Sequence, residues 1–101
     1  LHCHVGGDRS ASSYALRTRR LIELADRLFP DAPPGWIDVG GGLAGTMPPE
    51  LRAQFPEPPP GLDDYARSIC GPMRERWGAD GPVLMVEPGM ALLSDVMEFV
   101  C

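Results

Sequence analysis

The sequence predicts an α/β fold built from parallel strands. Three observations predict it. Short β-prone runs alternate with longer stretches whose apolar residues recur at helical spacing, in the order β-α-β-α-β. The run "PVLMVE" is apolar at almost every position, as a strand covered on both faces requires. Each β-prone run ends in a glycine-containing polar motif: "HVGG", "GGGLAG" and "EPGM". Strands alternating with helices imply parallel pairing and right-handed crossovers, and both open and barrel versions of such folds bind ligands at the carboxyl ends of their strands.

The first strand spans roughly Leu1 to Val5 and ends at Gly6, Gly7 and Asp8. Ser10, Ser12 and Ser13 are all suited to cap the helix that follows. That helix runs to about Phe29, with Leu21, Leu24, Ala25, Leu28 and Phe29 as its buried face. "PDAPPG" ends it. The second strand is Trp36 to Val39, closed by the glycines. The stretch "LAGTMPPELRAQFPEPPPG" is a long proline-rich loop with a short helical turn around Glu50 to Gln54. Loops of that length inside a compact unit are usually functional. The second helix begins near Leu62, with Asp63 and Asp64 where the helix dipole favours them. Leu62, Tyr65, Ala66, Ile69, Cys70, Met73 and Trp77 mark its apolar face, and Pro72 predicts a kink or break. The third strand is Pro82 to Glu87, and "ALLSDVMEFVC" begins a turn and a further strand.

The 101 residues are 44% hydrophobic and 23% charged, which fits one small globular unit or a piece of a larger one. No apolar run approaches the ~18 residues of a membrane span, and the start lacks the basic-then-apolar pattern of a secretory signal. Leu1 opens directly into a strand, and the last residues are again β-prone, so the chain reads as an internal piece of a longer one. The nine basic residues are all Arg and the net charge is −5, an acidic balance that argues against a nucleic-acid partner. Arg17, Arg19 and Arg20 read as the solvated face of the first helix. Cys3, Cys70 and Cys101 are widely spaced and read as buried free thiols in a reducing cytoplasm, with neither a disulfide framework nor a zinc site.

Several chemistries compete for the strand-end motifs. Gly40, Gly42 and Gly45 form a GxGxxG pattern, and "IDVGGG" also resembles the glycine-rich turn of methyl-donor-binding enzymes. Both of those sites need a helix immediately after the glycines, and Pro48 and Pro49 deny it. A tight structural turn is the bland reading. A phosphate cradled by backbone N–H groups is the sharper one, since three adjacent glycines cost about 0.5–1 kcal/mol each relative to alanine. His2 and His4 lie on the same face of their strand, the HxH spacing of metal-dependent hydrolases, with Glu87 as the one obvious carboxylate at another strand end. His2 reads better as a core residue; His4, next to the glycines, is placed to face a ligand. Glu87 closes an apolar strand and needs either an arginine or a protonated ring nitrogen as partner.

In this order and spacing, "LHCHVGG", "IDVGGGLAG" and "VEPGM" resemble the pyridoxal-phosphate-dependent decarboxylases of the alanine-racemase-like barrel type, the group of diaminopimelate, ornithine and arginine decarboxylases. The resemblance covers essentially the whole chain. It implies a (β/α)₈ barrel, with residues 1–90 as its later part and residues 91–101 leading toward a C-terminal β-domain. It implies pyridoxal 5'-phosphate as cofactor, an amino-acid substrate, a homodimer and a cytoplasmic enzyme. His4 would stack on the pyridine ring and Glu87 would pair with its nitrogen. Gly7, Gly41, Gly42, Gly89 and Met90 would border the phosphate. The chain departs from the family in having Gly7 where a serine is usual and Met90 where an arginine is usual. It contains no lysine, so the Schiff-base lysine would come from a segment outside these residues, and no catalytic residue is expected within them. A racemase or a non-catalytic pyridoxal-phosphate-binding protein of the same barrel type is the nearest alternative. The metal-dependent hydrolase is the alternative of a different class.

Overall fold

The computed structural model describes residues 1–55 and 57–97. Its elements in chain order are α1 (Ala11–Leu28), β1 (Trp36–Gly41), α2 (Pro49–Arg52), α3 (Leu62–Trp77), β2 (Val83–Glu87) and α4 (Gly89–Leu93). The architecture is mixed helix and strand, with a two-stranded parallel sheet. Trp36, Ile37 and Asp38 stand opposite Val83, Leu84 and Met85; an irregularity follows, and Gly41 stands opposite Glu87.

The segment expected as the first strand lies along the other edge of β1. It is reduced there to one parallel bridge between His2 and Asp38, with the Asp38 N–H donating to the Leu1 carbonyl (2.8 Å) and the Cys3 N–H to the Asp38 carbonyl (3.0 Å). Three parallel segments are therefore in place, with β1 in the middle, although only two form a ladder. β1 extends two residues further than its apolar pattern suggested, through Gly40 and Gly41.

Of the three candidate serines, Ser10 caps α1: its hydroxyl accepts from the Ser13 N–H at 3.1 Å. The buried face of α1 is Tyr14, Arg17, Thr18, Leu21 and Ala25. Leu24, Leu28 and Phe29, expected inside, are exposed. The stripe facing the core begins nearly two turns earlier than the apolar pattern, at Tyr14. Leu24 then falls on its flank, and Leu28 and Phe29 fall at the C-terminal end of the helix. Arg17 is only 5% exposed and does not belong to a solvated face.

α3 runs without interruption through Pro72. Proline removes one backbone bond at a cost of about 3 kcal/mol. Ile69 and Met73, on either side, are buried in the core and offset that loss. Asp64 reaches back to the Gly61 N–H (3.0 Å) to cap the helix start. The buried face is Tyr65, Ile69 and Met73; Leu62 and Ala66 are exposed, and Cys70 and Trp77 are half-buried. Tyr14, Leu21, Ala25, Ile37, Val39, Leu43, Ala44, Tyr65, Ile69 and Met73 form one continuous cluster between the two long helices and β1.

β2 departs most from expectation. An apolar strand covered on both faces was predicted; Val83 is 66% exposed and Met85 45% exposed, and only Leu84 packs against the core. Among the described residues no strand pairs with its outer edge. After Pro88 the chain turns into α4, a short helix where a turn was expected. The further strand expected in "VMEFVC" lies mostly outside the described residues, as does Cys101. Cys3 and Cys70 are free thiols, half-buried rather than buried.

Candidate functional site

The carboxyl ends of the three parallel segments meet, and the site is built there. Asp38, buried in β1, accepts a hydrogen bond from the Gly40 N–H (2.8 Å) through its side chain. That bond draws the chain into the left-handed region at Gly40 (φ +75°), and Gly42 follows at φ +87°. A side chain at Gly40 would stand 2.8 Å from the Cys3 carbonyl oxygen, and one at Gly41 2.5 Å from the Glu87 carbonyl oxygen. The glycines of β1 thus let the flanking segments close on it. The fold alone accounts for Gly40 and Gly41, and a phosphate is not needed to explain them. Gly45 serves the same purpose against Ala91. No helix opens at Leu43; α2 begins only at Pro49, so the loop lacks the helix that a dinucleotide or methyl-donor site requires.

Two tyrosines fasten this rim from below. The Tyr14 hydroxyl donates to the Gly41 carbonyl at 2.6 Å. The Tyr65 hydroxyl donates to the Arg9 carbonyl at 2.7 Å and accepts from the Ala44 N–H at 3.3 Å. Their rings meet edge to face with centroids 4.9 Å apart. Burial raises both phenol pKa values, because removing water penalises the phenolate. Arg17 works beside them. It donates to the Asp8 carbonyl (2.9 Å) and the Ser13 hydroxyl (3.1 Å), lies over the Tyr14 ring, and ties the "HVGG" turn to α1. Its Nε has no partner.

Above the tyrosines, His4 and Glu87 meet. His4 Nδ1 lies 3.0 Å from Glu87 Oε2 and 3.3 Å from the Gly41 nitrogen. One ring nitrogen cannot serve both. Protonated, Nδ1 donates to Glu87; unprotonated, it accepts from the Gly41 N–H. The shorter distance favours the bond to Glu87. His2 Nε2 stands 3.8 Å from Glu87 Oε1. All three side chains are about half exposed. The ligand atoms of His2, His4 and Glu87 lie within 4.8 Å of one another.

A cleft of about 670 Å³ lies beside this group, between the Gly6–Ser10 turn, the proline-rich loop and Met90. Gly7 and Met90 line it, and side chains added at Gly6, Gly7 or Gly89 would meet open space. Gly42 connects the two regions: it follows Gly41 at the His4–Glu87 contact, and a Cβ on it would lie 3.7 Å from Arg9 Nε. Arg9 donates through Nη1 to Met90 Sδ at 2.8 Å.

His4, Gly41 and Glu87 are therefore in one cluster, Gly7 and Met90 in the adjoining cleft, Gly42 between them, and Gly89 exposed at the start of α4. Tyr14, Tyr65, Arg17 and Arg9 were not singled out from sequence as site residues. Only Arg9 carried a signal, its place directly after "HVGGD". No family model, curated protein or solved structure matches the chain. None of the described helices is long and apolar enough to cross a membrane.

Proposed function

We propose that this chain contributes the ligand-binding rim of a (β/α)₈ barrel to a pyridoxal-phosphate-dependent amino-acid decarboxylase. One observation carries the reading: residues from three separate segment ends, His4, Gly41 and Glu87, converge within hydrogen-bond distance beside an open cleft. The cleft volume lies within the range of small-molecule sites. The residues fit the cofactor. Glu87 is half exposed, and the open backbone at Gly7 and Gly89 borders the same rim.

When bound, pyridoxal phosphate supplies an electron sink for the carbanion left by departing CO₂. The chain's own residues bind and orient it. The Glu87 carboxylate would accept a hydrogen bond from the protonated pyridine nitrogen and so hold that nitrogen cationic. His4 would offer the flat face of its imidazole to the ring, giving up its present bond to Glu87. The backbone at Gly7, Gly42, Gly89 and Met90 would border the phosphate, while Gly41 brings β1 close enough to β2 for His4 and Glu87 to share one ligand. The reading carries with it an amino-acid substrate and a homodimeric cytoplasmic enzyme whose Schiff-base lysine lies outside these residues.

A second reading rests on the 4.8 Å grouping of His2, His4 and Glu87, which suits a divalent cation with three protein ligands and an open position. His2 separates the two. The whole protein is titrated with pyridoxal phosphate and, separately, with zinc. The cofactor reading expects one equivalent of pyridoxal phosphate bound, weakened by Glu87→Gln and unaffected by His2→Asn. Stoichiometric zinc lost in His2→Asn, with no pyridoxal phosphate bound, would establish the metal site instead.

A further inference from the structure

We infer that Arg9 is the anion-binding side chain of the cleft and that it takes a phosphate group. The starting observation is a guanidinium without a partner suited to its charge. Its side chain donates to the thioether of Met90 at 2.8 Å, and a thioether is a weak acceptor. Among the described residues no carboxylate lies within ion-pair distance of it. Arginine presents several donors in a planar fork that matches a phosphate, so most of its binding capacity is unspent.

The surroundings position it for that use. The Arg9 carbonyl is held by the Tyr65 hydroxyl at 2.7 Å, so the backbone from which the side chain springs is anchored to the core. The guanidinium lies over Phe55, with 5.6 Å from Cζ to the ring centroid, and Phe55 also lines the cleft. Its Nε borders Gly42, and its tip reaches Met90. The open turn at Gly6 and Gly7 leaves backbone accessible on the same side. Two carboxylates also line the cleft. Asp8 is engaged by the Ser10 N–H at 2.9 Å, a bond that holds its carboxyl below the usual range, and Glu57 stands on the proline-rich loop. Arg9 is the only cation of the lining among the described residues. Swinging off a thioether sacrifices little, so the side chain can turn to an incoming anion at small cost.

Only the identity of the molecule bearing the phosphate rests on the cofactor reading; the anion site itself does not. The whole protein, its Arg9→Gln and Arg9→Lys variants, and the double variant Arg9→Gln with Met90→Arg are titrated at low ionic strength with inorganic phosphate, pyridoxal phosphate and pyridoxal, with far-UV circular dichroism as the folding control. Wild type is expected to bind phosphate. Arg9→Gln should weaken it about 10- to 100-fold, the effect of losing a charge-assisted hydrogen bond. Arg9→Lys should retain part of the affinity, and Met90→Arg should restore it in the Arg9→Gln background. Equal phosphate binding by wild type and a folded Arg9→Gln overturns the role of Arg9 and leaves the cofactor reading standing if pyridoxal phosphate still binds. Arg9-dependent phosphate binding with no gain from the pyridoxal moiety supports the anion site and overturns the cofactor reading. Absence of binding by either phosphate compound overturns both.

Discussion

β1 and β2 are paired strands with opposite fates. β1, "WIDVGG", carries an aspartate and two glycines, yet every residue from Ile37 to Gly41 is buried. β2, "VLMVE", is apolar at four of five positions, yet four of its five residues are exposed. The more polar strand is inside and the more apolar one outside. Burial is a property of what is laid over a strand. β1 has α1 and α3 contributing to the core beside it, the Leu1–Cys3 segment along one edge and β2 along the other. Among the described residues β2 has β1 as its one strand partner, and only Leu84 of its apolar side chains packs against the core. Apolar content reports what a segment tolerates, and neighbours decide whether water reaches it.

The contrast is most sharply broken in the core. Ile37→Ala should lower the free energy of unfolding by about 2–5 kcal/mol, because Ile37 is fully buried and its loss leaves a cavity. Urea denaturation measures it. A loss under about 1 kcal/mol would mean that β1 is no more central than β2.

A smaller effect is expected at the tyrosine that ties β1 to α1. Tyr14→Phe removes the side-chain donor to the Gly41 carbonyl and should cost about 1–3 kcal/mol. It also has a pH signature. Burial raises the folded-state phenol pKa of Tyr14 and Tyr65, so the folded state favours the neutral phenol. The associated stability is fully present below the ordinary value of about 10 and is lost as pH rises through the raised folded values. Thermal melts from neutral to alkaline pH should show a fall in melting temperature above about pH 10. Tyr14→Phe should flatten part of it; an identical alkaline fall in the variant would count against Tyr14 as its source.

The smallest effect belongs to β2. Val83→Thr and Met85→Gln should each change stability by no more than about 0.5 kcal/mol, since Val83 is largely in water and Met85 is about half exposed. Denaturation of the same protein tests this. A loss above about 1 kcal/mol would show that another surface covers β2 in solution, and the contrast with β1 would shrink accordingly.

Much of the local structure was legible in the sequence. The two long helices, the short helix after Pro48, the serine cap and the two paired strands follow from periodicity, proline placement and side-chain chemistry, all of which act over a few residues. So does the presence of His4, the glycines and Glu87 at segment ends. The misreadings share one cause. Leu24, Leu28 and β2 were expected inside because they are apolar, and Arg17 outside because it is charged. Pro72 was expected to kink or break its helix; the helix does not break, and buried neighbours hold it together.

The sequence by itself determined which segments become helix or strand and which residues stand at their ends, because those choices are made within one or two turns of chain. Only the tertiary structure decided that His4 meets Glu87, 83 residues away, and that Arg9 reaches Met90, 81 residues away. It also turned Arg17 inward onto main-chain carbonyls and left an apolar strand in water. Those outcomes depend on how finished elements pack, and no local pattern encodes the neighbour that packing will supply.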